Sequence, residues 1–333
     1  GDTGRKAPPE AYRKRLRGRV SLDSMTPDPE ILAMKNIAIG LLAALAGTSF
    51  LAPAPARAQA DADLEGAVAL VTGSTSGLGR EVALRLGARG AHVIVHGRDR
   101  ERGMEVVEAI EAGGNGSARF YRADLASFDE VRELASSVLD AYDRLDILVN
   151  NAGIGSAPDE RLVSADGLEL RFQVNYLSHF LLTRLLLPRL LDSAPSRIVH
   201  VSSLAQAPID FDDPMLEAGF SGGRAYAQSK LAQVMHAFDL AEALAGTGVM
   251  VNALHPATYM PTRMVRRAGV EPRATIDEGA DAVMQLIASN EIEGGRFFRG
   301  LDPARAHEQA YDPEARARLR ELSEALTGAP PPP

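Results

Sequence analysis

Cysteine and tryptophan are both absent from the 333 residues of this sequence. Without cysteine the chain cannot form disulfides, use a catalytic thiolate or build a thiolate metal site. The seven histidines are scattered along the chain and give a metal site no support. The sequence therefore predicts a protein that binds no metal and contains no covalent crosslink.

Lysine is scarce, and Lys230 is the single lysine between residue 61 and the C-terminus. Arginine supplies the other strongly basic side chains of that span, and the formal net charge of the chain is -8. A nucleic-acid surface needs clustered Lys and Arg to neutralise phosphates. The charge pattern therefore excludes nucleic acid as the expected partner.

The N-terminal 60 residues differ in composition from the rest of the chain. Met34 and Lys35 precede a mostly apolar run at 37–52, which is followed by prolines and small residues up to Ala60. The run is shorter than the roughly 20 residues of a membrane span, and its three parts are typical of a secretory signal peptide. We expect residues 1–60 to be an extension with a signal peptide at about 34–60, which contacts the membrane only during export to the periplasm or extracellular space. The alternatives are an uncleaved membrane anchor, or a spurious extension on a cytoplasmic protein.

From residue 61 to about 325 short apolar runs alternate with helix-like stretches. The strand-like runs lie at 67–73, 92–97, 118–125, 145–153, 196–203, 248–256 and 296–300. Apolar strands separated by amphipathic helices indicate a parallel sheet covered on both faces. The sequence predicts one doubly wound α/β domain of the Rossmann type, and an unstructured tail at 326–333.

A glycine-rich turn follows the first predicted strand, with the sequence Thr72-Gly73-Ser74-Thr75-Ser76-Gly77-Leu78-Gly79. Glycines at such a turn let the backbone approach a pyrophosphate, whose charge the amides of the next helix favour. A glycine turn alone often only solves a tight bend. Its position after the first strand of a βαβ unit favours a dinucleotide site.

The second strand ends in His96-Gly97-Arg98-Asp99. A domain that selects NAD usually places an acid at this strand end, whereas an arginine accommodates the extra phosphate of NADP. Gly97 stands where the acid is expected, Arg98 follows it, and Arg80 after the last glycine of the turn adds a second positive charge. We therefore predict NADP as the cofactor, with NAD as the alternative.

Tyr226 and Lys230 are four residues apart on a predicted helix and so share one face. A phenol titrates near 10 in water, and a nearby ammonium favours the phenolate, which brings the group closer to the range of a proton donor at neutral pH. An i,i+4 pair of side chains on a solvated helix face is the alternative interpretation. Because the chain otherwise uses arginine, the one lysine at this spacing favours a catalytic role.

Further motifs share the order of one family. The glycine turn, Asp124-Leu125, Asn150-Asn151-Ala152-Gly153, Asn175, Ser202-Ser203 and Tyr226-x-x-x-Lys230 together resemble the short-chain dehydrogenases/reductases over about 66–300. DGLELRFQVNYLSHFLLTRLLLPRL is similar to the retinol dehydrogenase and WW-domain oxidoreductase branch. The resemblance implies the catalytic tetrad Asn175, Ser203, Tyr226 and Lys230. The predicted cofactor contacts are Thr72, Gly73, Ser74, Ser76, Gly77, Leu78, Gly79, Arg80, Arg98, Asp124, Leu125, Asn151, Ala152, Gly153, Tyr226, Lys230, Pro256, Thr258 and Thr262.

The resemblance also carries expectations about chemistry. It implies interconversion of a carbonyl and an alcohol on a small molecule, with Tyr226 as general acid, Ser203 on the substrate oxygen and Asn175 positioning a water. The alternatives are a redox-sensing module without turnover, and an epimerase or dehydratase on the same fold. Pro256-Ala257 departs from the Pro-Gly usual in the family, and Thr258 competes with Thr262 for the nicotinamide.

Two expectations concern surfaces. Apolar residues in the segments 205–224 and 257–275 suggest an apolar substrate, with an oligomer contact or the core of a lid as alternatives: Pro208, Ile209, Phe211, Met215, Leu216, Phe220, Met260, Met264 and Val265. The resemblance further implies a homo-oligomer that associates through the two helices carrying Asn175 and Tyr226.

Overall fold

The computed structural model describes residues 64–331. Their centre is one eight-stranded sheet with the strand order β3-β2-β1-β4-β5-β6-β7-β8. The strands are β1 (Val68–Val71), β2 (His92–Gly97), β3 (Ser117–Arg122), β4 (Ile147–Asn150), β5 (Ser196–Val201), β6 (Val249–His255), β7 (Phe297–Arg299) and β8 (Asp302–Ala304). The order reverses between β1 and β4, where an open α/β sheet leaves a crevice for a ligand.

The first seven strands run parallel, and β8 pairs antiparallel with β7. All four residues of β1 and of β4 are buried, as expected for strands covered on both faces. The predicted doubly wound α/β class is therefore confirmed. The short strand β8 was not among the predicted strands.

Helices cover both faces of the sheet. They are α1 (Gly77–Ala88), α2 (Arg100–Ala112), α3 (Phe128–Ala141), α4 (170–192), α5 (Gly222–Ala243), α6 (Arg263–Arg267), α7 (Ile276–Ala288) and α8 (Pro313–Thr327), with a 3-10 turn at Glu308–Tyr311. Side chains cap several N-termini: Ser127 accepts a hydrogen bond from the amide of Glu130, and Thr275 forms a capping box with Glu278. One apolar core lies beneath α3, α4 and α5, and the other beneath α1, α2 and α7.

Helix α4 changes its winding in the middle. It consists of an α-helical turn (Leu170–Phe172), a π-helical turn (Gln173–Leu177) and a longer α-helical part (Ser178–Asp192). π-Turns inside α-helices occur frequently at functional sites. This one contains Asn175.

Helix α8 packs across α4 and α5. The hydroxyls of Tyr176 on α4 and Ser323 on α8 are hydrogen-bonded at 2.7 Å, and Arg320 pairs with Asp239 of α5 at 2.5 Å. Leu319 is only 1% exposed in the core beneath. This helix covers part of the face through which the resemblance implies self-association, so less surface is free for contact between two copies than expected. The homo-oligomer stays a prediction.

The end of the chain is ordered further than expected. Asp312 caps α8 and Pro313 occupies its first turn, which sets the start of the helix. The helix continues to Thr327, which is buried, and Gly328 ends it in a left-handed conformation with φ of 60°. The predicted tail at 326–333 thus begins too early, because its first residues complete this helix.

The predicted signal segment at 34–60 lies outside the described residues. Within residues 64–331, none of the helices combines the length and the apolar character that crossing a membrane requires.

The packing of α8 predicts a measurable loss of stability. Leu319→Ala should lower the free energy of unfolding by about 2–5 kcal/mol, because it leaves a cavity beneath α8. Leu301→Ala is the matched control, since Leu301 is 52% exposed. Urea denaturation of the two variants and the parent protein makes the comparison, and equal midpoints for both variants would show that α8 is not part of the cooperative fold.

Candidate active site

The turn after β1 and the loop after β4 meet at the carboxyl edge of the sheet. The side-chain amide of Asn151 donates to the carbonyl of Thr72 at 2.8 Å, and the backbone amide of Asn151 donates to the Thr72 hydroxyl at 2.9 Å. The backbone amide of Ala152 donates to the same hydroxyl at 3.0 Å. Hydrogen bonds thus hold three of the predicted cofactor residues together: Thr72, Asn151 and Ala152.

Each glycine of the turn meets a specific steric demand. A Cβ at Gly73 would lie 2.9 Å from the Cα of Ala152, and a Cβ at Gly79 would lie 2.4 Å from the Asn151 side-chain nitrogen. Gly77 has φ of +58° and faces the methyl group of Thr262, which a Cβ would approach to 3.2 Å. The spacing Gly-x-x-x-Gly-x-Gly therefore lets the loop after β4 and Thr262 in the loop after β6 come close to the turn after β1.

A buried histidine fixes the orientation of the Thr72 hydroxyl. Nδ1 of His179 lies 2.9 Å from the carbonyl oxygen of Asn175, and its Nε2 lies 3.0 Å from Oγ1 of Thr72. A carbonyl can only accept, so Nδ1 carries the proton and Thr72 donates to Nε2. Burial lowers the pKa of His179 to about 3, which keeps the ring neutral in this tautomer.

The start of α1 fits the phosphates of a dinucleotide. Its first turn contains no acidic residue, and the side chain of the N-cap residue Ser76 makes no capping hydrogen bond to the helix. The amides at this end of α1 can therefore hold an anion. Arg263 of α6 donates to the Ser76 hydroxyl at 3.2 Å and adds a positive charge.

Gly97 and Arg98 lie beside this turn at the end of β2. A Cβ at Gly97 would lie 2.6 Å from Cγ2 of Thr75, so an acidic side chain has no room there. Arg98 is exposed and pairs weakly with Asp124 at 3.4 Å. The second carboxylate oxygen of Asp124 accepts from the amide of Ala126, which holds Asp124 in the loop after β3.

Other predicted cofactor residues face inward. The Ser74 hydroxyl donates to the carbonyl of Val71 at 2.8 Å and accepts from the amide of His96 at 2.9 Å, so it joins β1 to β2. Leu78 and Leu125 belong to the two apolar cores, whereas Arg80 is exposed on α1. Ser74, Leu78 and Leu125 therefore have only their main-chain atoms left to contact a cofactor.

Asn175 braces the loop after β4 against α5. Its side-chain oxygen accepts from the amide of Ile154 at 2.8 Å, and its side-chain nitrogen donates to the Ile154 carbonyl at 3.1 Å and the Ser229 hydroxyl at 2.9 Å. The carbonyl of Asn175 already accepts from His179. Asn175 thus supports the loop structurally, and its carbonyl keeps a second lone pair, so its role in positioning a water stays a prediction.

Ser203 and Tyr226 present hydroxyls at the end of β5 and the first turns of α5. Ser202 donates to the carbonyl of Lys230 at 2.6 Å and so joins strand to helix, whereas Ser203 accepts from the amide of Ala205 at 3.1 Å and keeps its proton to donate. This difference supports Ser203 over Ser202. Burial raises the pKa of Tyr226, and a hydrogen bond with Ser203 opposes that rise.

The Lys230 ammonium is held by acceptors other than the phenol. It donates to the carbonyl of Val201 and to Oε1 of Gln233, both at 2.9 Å, and lies 5.8 Å from the centre of the Tyr226 ring. Burial lowers the pKa of Lys230 to about 7. The lowering of the Tyr226 pKa by Lys230 stays a prediction, since burial is the largest influence on the phenol here and the ammonium is held by other acceptors.

Gly153 lies between Asn175 on α4 and Lys230 on α5. A Cβ on Gly153 would lie 3.3 Å from the side-chain oxygen of Asn175 and 3.5 Å from Nζ of Lys230. The loop after β4 therefore contacts both helices at one point.

The loop after β6 takes a different course from the one that its sequence suggests. Pro256 is buried, Thr258 lies 3.0 Å from Nε2 of His255, and Thr262 caps α6. Tyr259 is the left-handed residue of this loop, with φ of 52°. Ala257 therefore needs no glycine-like conformation, and Thr262 lies nearer the glycine turn than its competitor Thr258.

The predicted apolar pocket residues separate into two groups. Ile209, Met215 and Leu216 are buried in the fold, and Phe211 packs under Arg318 of α8. These apolar side chains of the segment 205–224 are thus core rather than pocket wall, although most of the segment lies at the surface. In the loop after β6, Met260 is also buried in the core, whereas Met264 approaches Gly155 in the loop after β4.

Two exposed apolar side chains next to the hydroxyls of Ser203 and Tyr226 were not predicted. Leu204 directly follows Ser203 and is 43% exposed, and Tyr259, also 43% exposed, lies close enough to Tyr226 to influence its pKa. Position after a catalytic serine was the available signal for Leu204. A residue's fold-dependent exposure cannot be read from sequence.

Arg171 is a further residue that sequence reasoning missed. It is buried with Glu169, and its guanidinium donates to the carbonyls of Gly155, Ser156, Pro158 and Glu160. The side chain of Arg171 therefore holds the loop after β4 in place through these carbonyls. A buried arginine gives no distinctive pattern in a chain that is rich in arginine.

The arrangement supports acid–base chemistry beside a dinucleotide. Residues 64–331 contain no group of three or more His, Cys, Asp or Glu side chains that could hold a metal ion. The glycine cradle (the turn at 72–79 with the start of α1), Ser203 after β5, and Tyr226 and Lys230 on α5 together are typical of a dinucleotide-dependent oxidoreductase site.

Comparison with known proteins identifies the family. The family model for short chain dehydrogenase matches residues 67–272, and the chain belongs to this family. It is similar to retinol dehydrogenase 14 of Mus musculus, with 36% identity over 89% of this chain and 99% of the relative. The expected resemblance to the retinol dehydrogenase branch is thus confirmed.

Solved structures show the same fold. A crystal structure of an uncharacterized protein from Mycobacterium paratuberculosis has a TM-score of 0.68 and 31% identity, covering 81% of this chain and 96% of that one. The NADP active-site complex of Pseudomonas aeruginosa RhlG has a TM-score of 0.59 and 30% identity, covering 71% and 95% of the two chains.

The glycine cradle yields a test by substitution. Gly79→Ala should weaken binding of a nicotinamide dinucleotide at least about tenfold, because its Cβ would push Asn151 and Gly73 apart. Gly223→Ala on α5 is the control, since nothing lies within 4 Å of its added Cβ. Fluorescence titration with the reduced cofactor gives both dissociation constants. Equal affinity in the two variants would contradict the role assigned to Gly79.

Proposed function

We propose that this protein is an NADP-dependent oxidoreductase that interconverts a carbonyl and an alcohol on a small apolar substrate. The observation that carries the proposal is the convergence of Ser203, Tyr226 and Lys230 beside the glycine cradle: Ser203 is close enough to lower the pKa of Tyr226, and the Lys230 ammonium lies 5.8 Å from the centre of the Tyr226 ring. The bound nicotinamide supplies or accepts the hydride.

The chain's own residues handle the substrate oxygen and its proton. In the reducing direction the Ser203 hydroxyl donates a hydrogen bond to the carbonyl oxygen, and Tyr226 gives that oxygen its proton. The resulting phenolate is stabilised when the Lys230 ammonium turns toward it. Asn175 contributes by holding the loop after β4 and α5 at a fixed separation.

An apolar substrate is supported by two kinds of observation. Leu204 and Tyr259 expose apolar surface next to the catalytic hydroxyls, and Met264 extends it toward Gly155. The relative at 36% identity is named for retinol, an apolar alcohol. We infer a substrate of that general polarity, with its carbonyl or hydroxyl at Ser203.

NADP is favoured over NAD by charge and space. Gly97 leaves no room for the carboxylate that would bind the ribose hydroxyls of NAD. Burial together with the positive charges of Arg102, Arg267 and Arg98 lowers the pKa of Arg263, so these arginines share one region. Such a region suits the additional phosphate of NADP, and the RhlG structure holds NADP.

Removing one hydroxyl tests the reaction. Tyr226→Phe should reduce kcat by about 100- to 10,000-fold, the usual contribution of a general acid, while the Kd for NADPH changes little. NADPH consumption with a panel of ketones and aldehydes measures turnover, and fluorescence titration measures binding. Tyr142→Phe, at the β2 and β3 edge, is the control for loss of a phenol hydroxyl. Full activity in Tyr226→Phe would refute the mechanism.

The cofactor preference has its own test. Arg98→Ala should weaken NADPH binding about tenfold or more and leave NADH binding nearly unchanged, because only NADPH offers a phosphate to this arginine. Arg100→Ala, an exposed arginine on the first turn of α2, serves as the control. A parallel loss of affinity for both cofactors would place Arg98 outside the discriminating site.

A further inference from the structure

The ammonium of Lys230 lies in an interior with no opposite charge. Lys230 is 3% exposed, and burial is the cause of its lowered pKa, with no carboxylate of residues 64–331 opposing that effect. An uncompensated buried ammonium is costly unless hydrogen-bond acceptors replace water. Its acceptors therefore decide how readily Lys230 keeps its proton.

The titratable groups around Lys230 are neutral. His179 on α4, His200 on β5 and His255 on β6 all interact electrostatically with Lys230. Burial lowers the pKa of each histidine, that of His255 to about 4, and burial raises the pKa of Tyr226 on α5. At neutral pH the histidines are therefore uncharged and the phenol keeps its proton. None of these side chains supplies the negative charge that would balance the ammonium.

Gln233 is the side chain that accepts a hydrogen bond from Lys230. It lies three residues further along α5, is fully buried, and its Oε1 is 2.9 Å from Nζ. An ammonium only donates, so the amide must present its oxygen to Nζ. The Gln233 nitrogen is buried without a protein partner.

The hydrogen bonds of Nζ leave one donor unused. An ammonium has three N–H groups, and the carbonyl of Val201 and Oε1 of Gln233 accept two of them. The third is left for Tyr226 or for a cofactor hydroxyl. Gln233 thereby fixes the side chain while the catalytic donor stays available.

We infer that Gln233 is a positioning residue, whose amide oxygen holds the Lys230 ammonium in place and stabilises its charged form for the reaction at Tyr226. This inference rests on the proposed function for its catalytic meaning. The hydrogen bond and its effect on Lys230 can be measured without turnover.

Two substitutions of similar volume should shift Lys230 in opposite directions. Gln233→Met removes the acceptor and should lower the pKa of Lys230 by about one unit, and Gln233→Glu adds a negative charge and should raise it by about as much or more. NMR titration of full-length protein labelled with ¹³Cε lysine reports this pKa. The Lys230 signal is identified by its loss in Lys230→Arg.

The matched control is Gln228→Met on the same helix. Gln228 is equally buried, but its side-chain nitrogen donates to the carbonyl of Pro214 rather than touching Lys230. Its replacement should leave the Lys230 titration in place. Equal shifts in both methionine variants, shifts of one sign in Gln233→Met and Gln233→Glu, or no shift in either would overturn the inference.

Kinetics then connect the shift to the reaction. If Lys230 acts in its charged form, activity falls as pH rises through its pKa, so the alkaline limb of kcat should move to lower pH in Gln233→Met and to higher pH in Gln233→Glu. Absence of NADPH turnover in the parent protein would defeat the proposed function and leave the NMR result standing. Turnover with an unmoved Lys230 titration would defeat only the assignment of Gln233.

Discussion

The contact between the turn after β1 and the loop after β4 is the constraint on which the site depends. Asn151 and Ala152 can approach Thr72 only because Gly73 and Gly79 have no side chains. The reversal of strand order between β1 and β4 places these segments side by side. The glycine cradle and the loop after β4 are therefore parts of one backbone arrangement.

Buried polar groups connect that arrangement to the helices α4 and α5. His179 joins Thr72 to the carbonyl of Asn175, and the Asn175 side chain joins Ile154 to Ser229 on α5. These hydrogen bonds are neutral and shielded from water, so losing one partner leaves another group unsatisfied. The part of α5 that carries Tyr226 is in this way supported by buried polar side chains on neighbouring segments.

Sequence patterns predicted the parts of the molecule that depend on local periodicity. The seven parallel strands follow from apolar runs, and the glycine turn and the pair Tyr226 and Lys230 follow from spacing along a strand end and a helix. The sheet order also explains why motifs distant in sequence meet at one edge.

Other features depend on tertiary contacts that no local pattern contains. The apolar residues Ile209, Met215 and Leu216 resemble a pocket wall in sequence, but they are core because α5 and the 3-10 turn close over their segment. The direction of the Lys230 ammonium could not be predicted, because Val201 and Gln233 compete with Tyr226 for it only in the fold. Strand β8 has three residues and only one neighbour, too little for a periodic pattern.

The position of α8 also sets the order in which the molecule can be completed. Tyr176, next to Asn175, is covered by Ser323, and Asp239 of α5 is paired with Arg320. A ribosome makes these partners after every strand of the sheet and every residue of the candidate site. The layer that contains the site therefore stays open on one side until α8 has been made, and a nascent chain exposes apolar surface there until then.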